Sequence, residues 1–274
     1  MRDAPTVLVM GCGDIGSAVA RQLVLLGARV VLNDLPAPAH ARRGMAYTDA
    51  MFRGSATLEG VEARFVDGLA GAKVLWRDST AVPLTALTDA TLLDAFGFDV
   101  VVDATLRRSR TDDSMPPTDA LWIGIGPGFV PGGNCSVAVE SQWGPNLGRL
   151  LRDASTAPLG GGPRELAGVG RDRFVAAPVS GRWSTALSLG DRVEVGGRVG
   201  SLAGIDGAVD VHAPIAGVLR GLTFPGVAVR AGQRIVEVDP REPPEVFGVG
   251  ERPRAIASGV ALALTEGSSA LIRK

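Results

Sequence analysis

The chain opens on a clear succession of apolar and polar segments. An apolar run at 7–10 leads into three glycines, Gly11, Gly13 and Gly16, in the pattern G-x-G-x-x-G. Apolar positions then recur at helical spacing from 15 to 26, and a second apolar run at 29–32 follows. This order predicts a strand, a glycine turn, a helix and a strand, which together have the dimensions of a βαβ unit.

Further apolar patterns continue as far as residue 152. Apolar runs predict strands at 61–66, 72–76, 99–105, 121–125 and 136–139. Apolar residues at 3–4 spacing predict helices at 88–96 and 146–152, and the mixed segment 36–54 is also expected to hold a helix. Parallel strands connected by helices are expected, as in a Rossmann-like domain that spans residues 1–153.

A second kind of pattern begins after a Ser-, Thr-, Pro- and Gly-rich linker at 154–170. Short strands follow, and the segment 190–199 is repeated at 226–235 with an offset of 36 residues. This doubled pattern predicts a small all-β barrel-sandwich domain of the biotinyl/lipoyl type at 170–245. The domain contains no lysine, which argues against a carrier of a lysine-linked group. A C-terminal helix within 250–274 is expected to pack on the first domain.

Composition excludes some classes of function. The 274 residues carry a net charge of −1, which provides no basic stripe for nucleic acid. The two cysteines, Cys12 and Cys135, form neither a disulfide framework nor a metal-type spacing, so a reducing compartment is expected and no metal site is predicted. Neither a signal segment nor a membrane-spanning run stands out, so we expect a cytoplasmic protein without a membrane partner.

The glycine turn is the first part of a predicted ligand site. Its backbone and the start of the following helix favour a bound phosphate. Asp34 lies where a nucleotide fold places its ribose-binding carboxylate. A second glycine-rich loop spans 126–134, and acidic residues follow two further strands. The predicted cofactor-binding residues are Gly11, Cys12, Gly13, Asp14, Ile15, Gly16, Asp34, Asp103, Gly126, Gly128, Asn134 and Glu140. The expected ligand is a small phosphorylated molecule, with NAD(P) or another nucleotide as cofactor.

Several residues allow two interpretations at this point. Arg42 and Arg43 either bind an anion or form a solvated face, and the loop 126–134 is either a ligand contact or a structural turn. Cys12 is either a reactive thiol at a helix N-terminus or a small filler, whereas His40 is either chemical or structural. The sequence shows no complete catalytic constellation, so no catalytic residue is predicted.

An ordered set of motifs resembles a known family. The set is G-x-G-D-I…A at 11–18, R-R…A-x-x-x-G at 42–54, V-D-A at 102–104, I-G-I-G-P-G-F…G at 123–132, V-E-S…G-x-x-L-G-R at 139–149, G-V-L-R-G-L at 217–222, D-P-R at 239–241 and R-A-I-A-S-G-V at 254–260. It resembles the accessory proteins of selenium-dependent molybdenum hydroxylase systems, which are related to the XdhC-like xanthine dehydrogenase accessory group.

The resemblance implies a Rossmann-like domain and a role in maturing or supplying a molybdenum enzyme. It also implies a molybdenum hydroxylase as client and the molybdenum cofactor as a ligand. Two alternatives are an NAD(P)-dependent oxidoreductase, for which Asp34 favours NAD over NADP, and a structural adaptor that docks through the β region.

Overall fold

A computed structural model describes residues 4–78, 80–107, 114, 119–158, 160, 162–205 and 207–271. Its helices are α1 (Asp14–Leu25), α2 (Ala50–Arg53), α3 (Gly68–Asp78), α4 (Asp89–Ala95) and α5 (Glu251–Leu271). The strands of the first part are β1 (Thr6–Met10), β2 (Arg29–Asn33), β3 (Ser55–Leu58), β4 (Val61–Phe65), β5 (Val82–Thr85), β6 (Val100–Asp103), β7 (Leu121–Ile125), β8 (Val137–Val139) and β9 (Leu150–Leu151). The later strands are β10 (Phe174–Ala176), β11 (Gly181–Ser184), β12 (Arg192–Val193), β13 (Arg198–Gly204), β14 (Gly207–His212), β15 (Gly217–Leu222), β16 (Ala228–Val229) and β17 (Arg234–Asp239).

A nine-stranded sheet forms the centre of the first part. Its strand order is β3-β4-β5-β2-β1-β6-β7-β8-β9. The strands from β4 to β8 pair in parallel, whereas β3 and β9 pair antiparallel at the two edges. The central strand β1 is buried on both faces, as its apolar run predicts.

Helices cover both faces of this sheet. On one face, α1 and α5 pack on a cluster that includes Val9, Val19 and Val260. On the other face, residues of α3 and α4 join a cluster that includes Leu8 and Trp122. Helix α5 therefore returns to the large sheet after the chain has completed the β region.

The β region forms two four-stranded sheets, ordered β10-β17-β15-β12 and β14-β13-β11-β16. Trp183 is fully buried between them, and its indole N–H donates to the Thr223 carbonyl at 2.9 Å. Contact with the first part is direct, because the Leu222 N–H donates to the Ala41 carbonyl at 2.7 Å and Phe224 stacks on Phe52.

The predicted Rossmann-like domain followed by a barrel-sandwich domain is wrong. The structure is a mixed α/β fold with one large, mainly parallel sheet and two antiparallel sheets. Within the described residues, the connections from β6 to β7 and from β7 to β8 contain no helix. The second of these connections is rich in glycine and proline, which disfavour a helix. The distant helix α5 contacts β7, β8 and β9 instead.

Two local predictions are also wrong. Residues 72–76 belong to helix α3, where the buried Ala72 and the neighbouring Leu69 and Trp76 face the same cluster at helical spacing. Residues 146–152 form a turn and the short strand β9 rather than a helix. The predicted strands at 7–10, 29–32 and 121–125 and the helices that begin near 15 and 88 are confirmed, and the strand predicted at 99–105 is present as the shorter β6.

Part of the sequence-based prediction falls on residues that the structure does not describe. Residues 108–113 and 115–118 of the polar connection after β6, and 272–274 of the C-terminal segment, lie outside the described residues. The domain boundaries at 153 and 170 stay predictions. Within the described ranges, no helix combines the length and the apolarity that a membrane crossing requires.

Candidate functional site

The glycine turn between β1 and α1 is tight. Gly11 has a φ of 97°, and a Cβ on Gly16 would overlap the Gly11 carbonyl oxygen. Two of the backbone donors at the turn already have carboxylate partners on the protein. The Cys12 N–H donates to Asp34 Oδ2 at 2.6 Å, and the Ile15 N–H donates to Asp14 Oδ1 at 3.1 Å. The turn thus faces two carboxylates.

The imidazole of His40 occupies the space above this turn. A Cβ on Gly13 would lie 3.4 Å from His40 Cε1, and His40 Nε2 lies 2.9 Å from Asp34 Oδ2. Burial alone raises the pKa of Asp34, but the hydrogen bond and charge of His40 outweigh burial and lower it. Burial lowers the pKa of His40, but Asp34 and then Asp14 outweigh burial and raise it.

Cys12 is fully buried beside these two groups. Its Sγ lies 3.8 Å from Thr48 Oγ1, and Thr48 Oγ1 donates to the Cys12 carbonyl at 3.0 Å. Burial, followed by the negative charge of Asp34, raises the pKa of the thiol well above its ordinary value. The start of α1 therefore does not activate Cys12 as a nucleophile. The ligand-capable atoms of Cys12, Asp34 and His40 all lie within 4.8 Å of one another.

Next to this cluster lies a cavity of about 1120 Å³, which we call the arginine cleft. Its walls come from the glycine turn, the segment 39–45, the segment 160–173, strands β15 and β17 and the start of α5. Eight arginines line it, namely Arg42, Arg164, Arg171, Arg173, Arg220, Arg234, Arg241 and Arg252. Five acidic residues also line it, namely Asp14, Glu165, Glu237, Glu245 and Glu251, so the lining carries an excess of positive charge.

Glu237 is the buried acceptor at the centre of the arginine cleft. Its Oε2 lies 2.6 Å from Arg42 Nε, and its Oε1 lies 3.2 Å from Arg173 Nε. Arg220 Nε is 3.8 Å from Oε1, beyond hydrogen-bond distance. Arg42 also reaches Asp14 Oδ2 at 3.1 Å, which connects β17 to the start of α1. One carboxylate thus faces three guanidinium groups.

Arg220 and Arg252 are two lining arginines whose pKa is lowered. Burial, followed by the charge of Arg42, lowers the pKa of Arg220. Burial also lowers the pKa of Arg252, and Arg42 adds to the effect. Arg220 Nε is a buried donor without a hydrogen-bond partner, although Arg220 Nη1 lies 3.4 Å from Asp239 Oδ2. A buried donor of this kind is costly unless a ligand or water accepts from it.

Two aromatic rings complete the walls of the cleft. The guanidinium groups of Arg173 and Arg234 each lie 4.4 Å from the centre of the Phe174 ring. Arg164 lies 5.1 Å from the centre of the Trp143 ring. An aromatic face beside a planar guanidinium group attracts and orients it while leaving its N–H groups able to donate.

The predicted site residues lie in several separate parts of the structure. Gly13 and Asp14 line the cleft, whereas Gly11, Cys12, Ile15, Gly16 and Asp34 form the turn and its cap beneath His40. Asp103 accepts from the N–H and the hydroxyl of Thr105, at 3.0 and 2.6 Å. Glu140 accepts from the N–H groups of Ser141, Gln142 and Ala157, each at 2.7 Å. These hydrogen bonds of Asp103 and Glu140 thus organise nearby backbone.

The second glycine-rich loop is folded on itself. The Asn134 side chain accepts from the Val130 N–H and donates to the Gly128 carbonyl, both at 2.9 Å. Phe129 packs directly over Gly124, where a Cβ would overlap its ring. Gly126, Gly128 and Asn134 lie outside the lining of the arginine cleft. This geometry agrees with the interpretation of the loop as a structural turn.

Sequence reasoning missed most of the cleft. Of the two early arginines, Arg42 lines it, whereas Arg43 is buried against Asp49 and the Leu222 carbonyl. Arg220 and Arg241 stand in two of the motifs that carried the family resemblance, but no role was assigned to them. The available signal was the recurrence of arginine through the β region.

Fold and cleft together define a mixed α/β protein with an arginine-lined cavity. No family model matches the chain. A curated relative, "Uncharacterized protein YqeB" of Escherichia coli strain K12, is 33% identical over 261 residues. The match covers 94% of this chain and 47% of the relative, so the chain spans about half the length of that protein.

Three solved structures also show similarity. The product-bound ectoine utilization protein EutE (DoeB) of Ruegeria pomeroyi is 14% identical, with 87% of this chain and 86% of that chain covered and a TM-score of 0.28. An aspartoacylase family protein of Mesorhizobium loti is 12% identical, with 87% and 86% covered and a TM-score of 0.27. A succinylglutamate desuccinylase/aspartoacylase of Rhodobacter sphaeroides is 21% identical over 32% of this chain and 29% of that chain, with a TM-score of 0.24. Likenesses this weak carry no argument about activity.

The predicted resemblance to molybdenum hydroxylase accessory proteins is wrong, because no family model matches the chain and the curated relative is described only as an uncharacterized protein. The predicted maturation function and the alternative of an NAD(P)-dependent oxidoreductase are both wrong. The geometry gives a physical reason for the second correction. His40 fills the space above Gly13, and a pyrophosphate there would face the carboxylates of Asp14 and Asp34.

Proposed function

We propose that the arginine cleft binds a small organic ligand with at least two anionic groups, either phosphate or carboxylate. The observation that carries this proposal is the cluster of eight arginines around one cavity, against five acidic side chains. Arginine is the side chain best suited to such ligands, because its planar fork donates two parallel hydrogen bonds to a carboxylate or phosphate.

Arg220 and Arg252 are the expected anchors of the ligand. Burial and neighbouring positive charge disfavour their charged forms in the free protein, as the lowered pKa of each shows. An anion in the cleft offsets that cost, and it also provides an acceptor for the unpartnered Arg220 Nε. The interaction is strong because it takes place away from bulk water.

The size and the walls of the cleft favour a ligand larger than a lone ion. A cavity of about 1120 Å³ has the volume of a site for an organic molecule. Phe174 and Trp143 provide apolar surface beside the guanidinium groups, which suits a ligand with a flat or apolar part. A nucleotide and the molybdenum cofactor both carry phosphate. That either of them is a cofactor of this chain stays a prediction.

Calorimetric titration tests the proposal with pyrophosphate, citrate and ADP as probes. At least one of them is expected to bind with an affinity that falls as salt is added. Arg252→Gln and Arg234→Gln are expected to weaken that binding at least tenfold. The matched control is Arg198→Gln, which removes an exposed arginine of the same region that pairs with Asp210 outside the cleft. Failure of all three probes to bind the folded protein, or equal affinity in all variants, overturns the proposal.

A further inference from the structure

We infer that Cys12, Asp34 and His40 form a binding site for a divalent metal ion, with Zn²⁺ as the metal that fits. The site lies on the first part of the chain, beside the arginine cleft. It does not depend on the anion proposed there, because its three ligands belong to the glycine turn, the end of β2 and the segment that follows β2.

Three different donor types converge at this point. The Cys12 sulfur, an Asp34 carboxylate oxygen and a His40 ring nitrogen all lie within 4.8 Å of one another. Tetrahedral zinc, with bonds of about 2.3 Å to sulfur and about 2.0–2.2 Å to nitrogen and oxygen, places its ligand atoms about 3.4–3.6 Å apart. His40 Nε2 and Asp34 Oδ2, now 2.9 Å apart, need to separate by only about half an ångström to reach that spacing.

Surrounding hydrogen bonds already orient the Asp34 carboxylate and hold the backbone of Cys12. Asp34 accepts from the Cys12 N–H at 2.6 Å and from the Leu35 N–H at 2.7 Å, which fixes its carboxylate next to the thiol. Thr48 donates to the Cys12 carbonyl and holds that turn from the other side. Outer contacts of this kind hold metal ligands in place and are part of functional metal sites.

The mixture of donors selects the class of metal. Magnesium and calcium prefer sites made only of oxygen, whereas a thiolate, an imidazole and a carboxylate together suit zinc. Three protein ligands leave a fourth position open, which is the pattern of zinc sites that bind a water molecule or a ligand. His40, with 37% of its side chain exposed, lines the arginine cleft, so the proposed metal site lies at the edge of that cavity.

The composition of the chain makes the test unusually selective. The chain has two cysteines and two histidines, so Cys135 and His212 provide matched controls for Cys12 and His40. Cobalt(II) is the probe, because a cobalt–thiolate bond gives a charge-transfer absorption in the near ultraviolet. Untagged protein is titrated with Co²⁺ under reducing conditions, and Zn²⁺ is then added to displace it.

The expected result is one cobalt ion per chain, a thiolate absorption band, and loss of that band on adding zinc. Cys12→Ala is expected to abolish the band, and His40→Gln and Asp34→Asn are expected to weaken binding at least tenfold, since loss of a mere outer contact already costs about 10–100-fold. Cys135→Ala and His212→Gln are expected to bind cobalt as the native chain does.

Two results overturn the inference. One is the absence of stoichiometric cobalt or zinc binding by the folded native chain. The other is a cobalt band that survives Cys12→Ala but disappears in Cys135→Ala. Circular dichroism of each metal-free variant reports whether it is folded. If Cys12→Ala does not fold, the comparison of His40→Gln with His212→Gln tests the inference instead. His40→Gln has to weaken metal binding, whereas His212→Gln has to leave it unchanged.

Discussion

Arg42 Nε lies 2.6 Å from Glu237 Oε2, although the two residues are 195 positions apart in the sequence. The same guanidinium group reaches Asp14 Oδ2 at 3.1 Å. One side chain thus connects the start of α1 with strand β17, and burial of Glu237 makes that connection costly to break.

Removing the Glu237 carboxylate is expected to destabilise the fold strongly. Glu237→Ala leaves Arg42 and Arg173 without their shared acceptor and removes a negative charge 3.8 Å from Arg220 Nε, and breaking a buried ion pair in this way costs about 3–5 kcal/mol. Urea unfolding measures the change in the free energy of unfolding. Glu237→Gln, which keeps the shape and one acceptor oxygen, is expected to lose less. Equal stability of Glu237→Ala and the native chain contradicts the buried network.

Acid is expected to destabilise the protein through Asp239. Its carboxylate is fully buried, and although burial raises its pKa, hydrogen bonds from the Arg241 side chain and from nearby backbone lower the pKa overall. The ionised Asp239 therefore stabilises the fold at any pH above about 3.9, the ordinary pKa of an aspartate. This contribution disappears as the pH falls through the lower pKa that Asp239 has in the folded protein.

The measurement is the free energy of unfolding between about pH 6 and pH 2 in the native chain and in Asp239→Asn. The native chain is expected to lose stability more steeply below about pH 4, because only it has this carboxylate to protonate. Parallel curves for the two proteins show that Asp239 does not contribute.

A side chain at Gly259 is expected to weaken the attachment of α5. A Cβ there would overlap the Gly148 carbonyl oxygen and lie 2.9 Å from Val139 Cγ1. Gly259→Ala is therefore expected to lower the free energy of unfolding by about 1–3 kcal/mol, as overpacking does. Gly97→Ala is the control, because a Cβ at Gly97 meets nothing within 4 Å. Thermal unfolding of the two variants tests the difference.

Substitution of Phe129 tests whether the glycine-rich loop 126–134 is structural or binds a ligand. Its ring is almost completely buried, so Phe129→Ala is expected to cost about 3–5 kcal/mol of stability. The folded fraction of this variant should bind pyrophosphate or citrate as the native chain does, because Phe129 lies outside the arginine cleft. Val130→Ala, at an exposed neighbouring position, is the stability control. A selective loss of anion binding in Phe129→Ala contradicts the structural role.

The sequence predicted the first βαβ unit well because its signals are local. The apolar run of β1, the glycines and the helical spacing of α1 each act within a few residues. The strand predicted at 72–76 is wrong because a short apolar run is as typical of a buried helix as of a strand. Only the position of Leu69 and Trp76 on one face of α3 decides between them.

The arginine cleft could not be predicted in the same way. Arg42, Arg220 and Arg252 come from three distant segments, and their meeting depends on how the β region and α5 pack on the large sheet. The cap that Asp34 and His40 form on the glycine turn could not be predicted for a similar reason. The G-x-G-x-x-G pattern predicts the backbone of the turn, but not that Asp34 and His40 fold over it.

The position of α5 also has a consequence for synthesis on the ribosome. Residues 251–271 are made last among the described residues, yet they cover α1 and contact β7, β8 and β9 of the first sheet. The apolar face beneath them stays open while the whole β region is being translated. The large sheet therefore completes its core only when the end of this segment has left the exit tunnel, and exposed apolar surface of this kind is what chaperones bind.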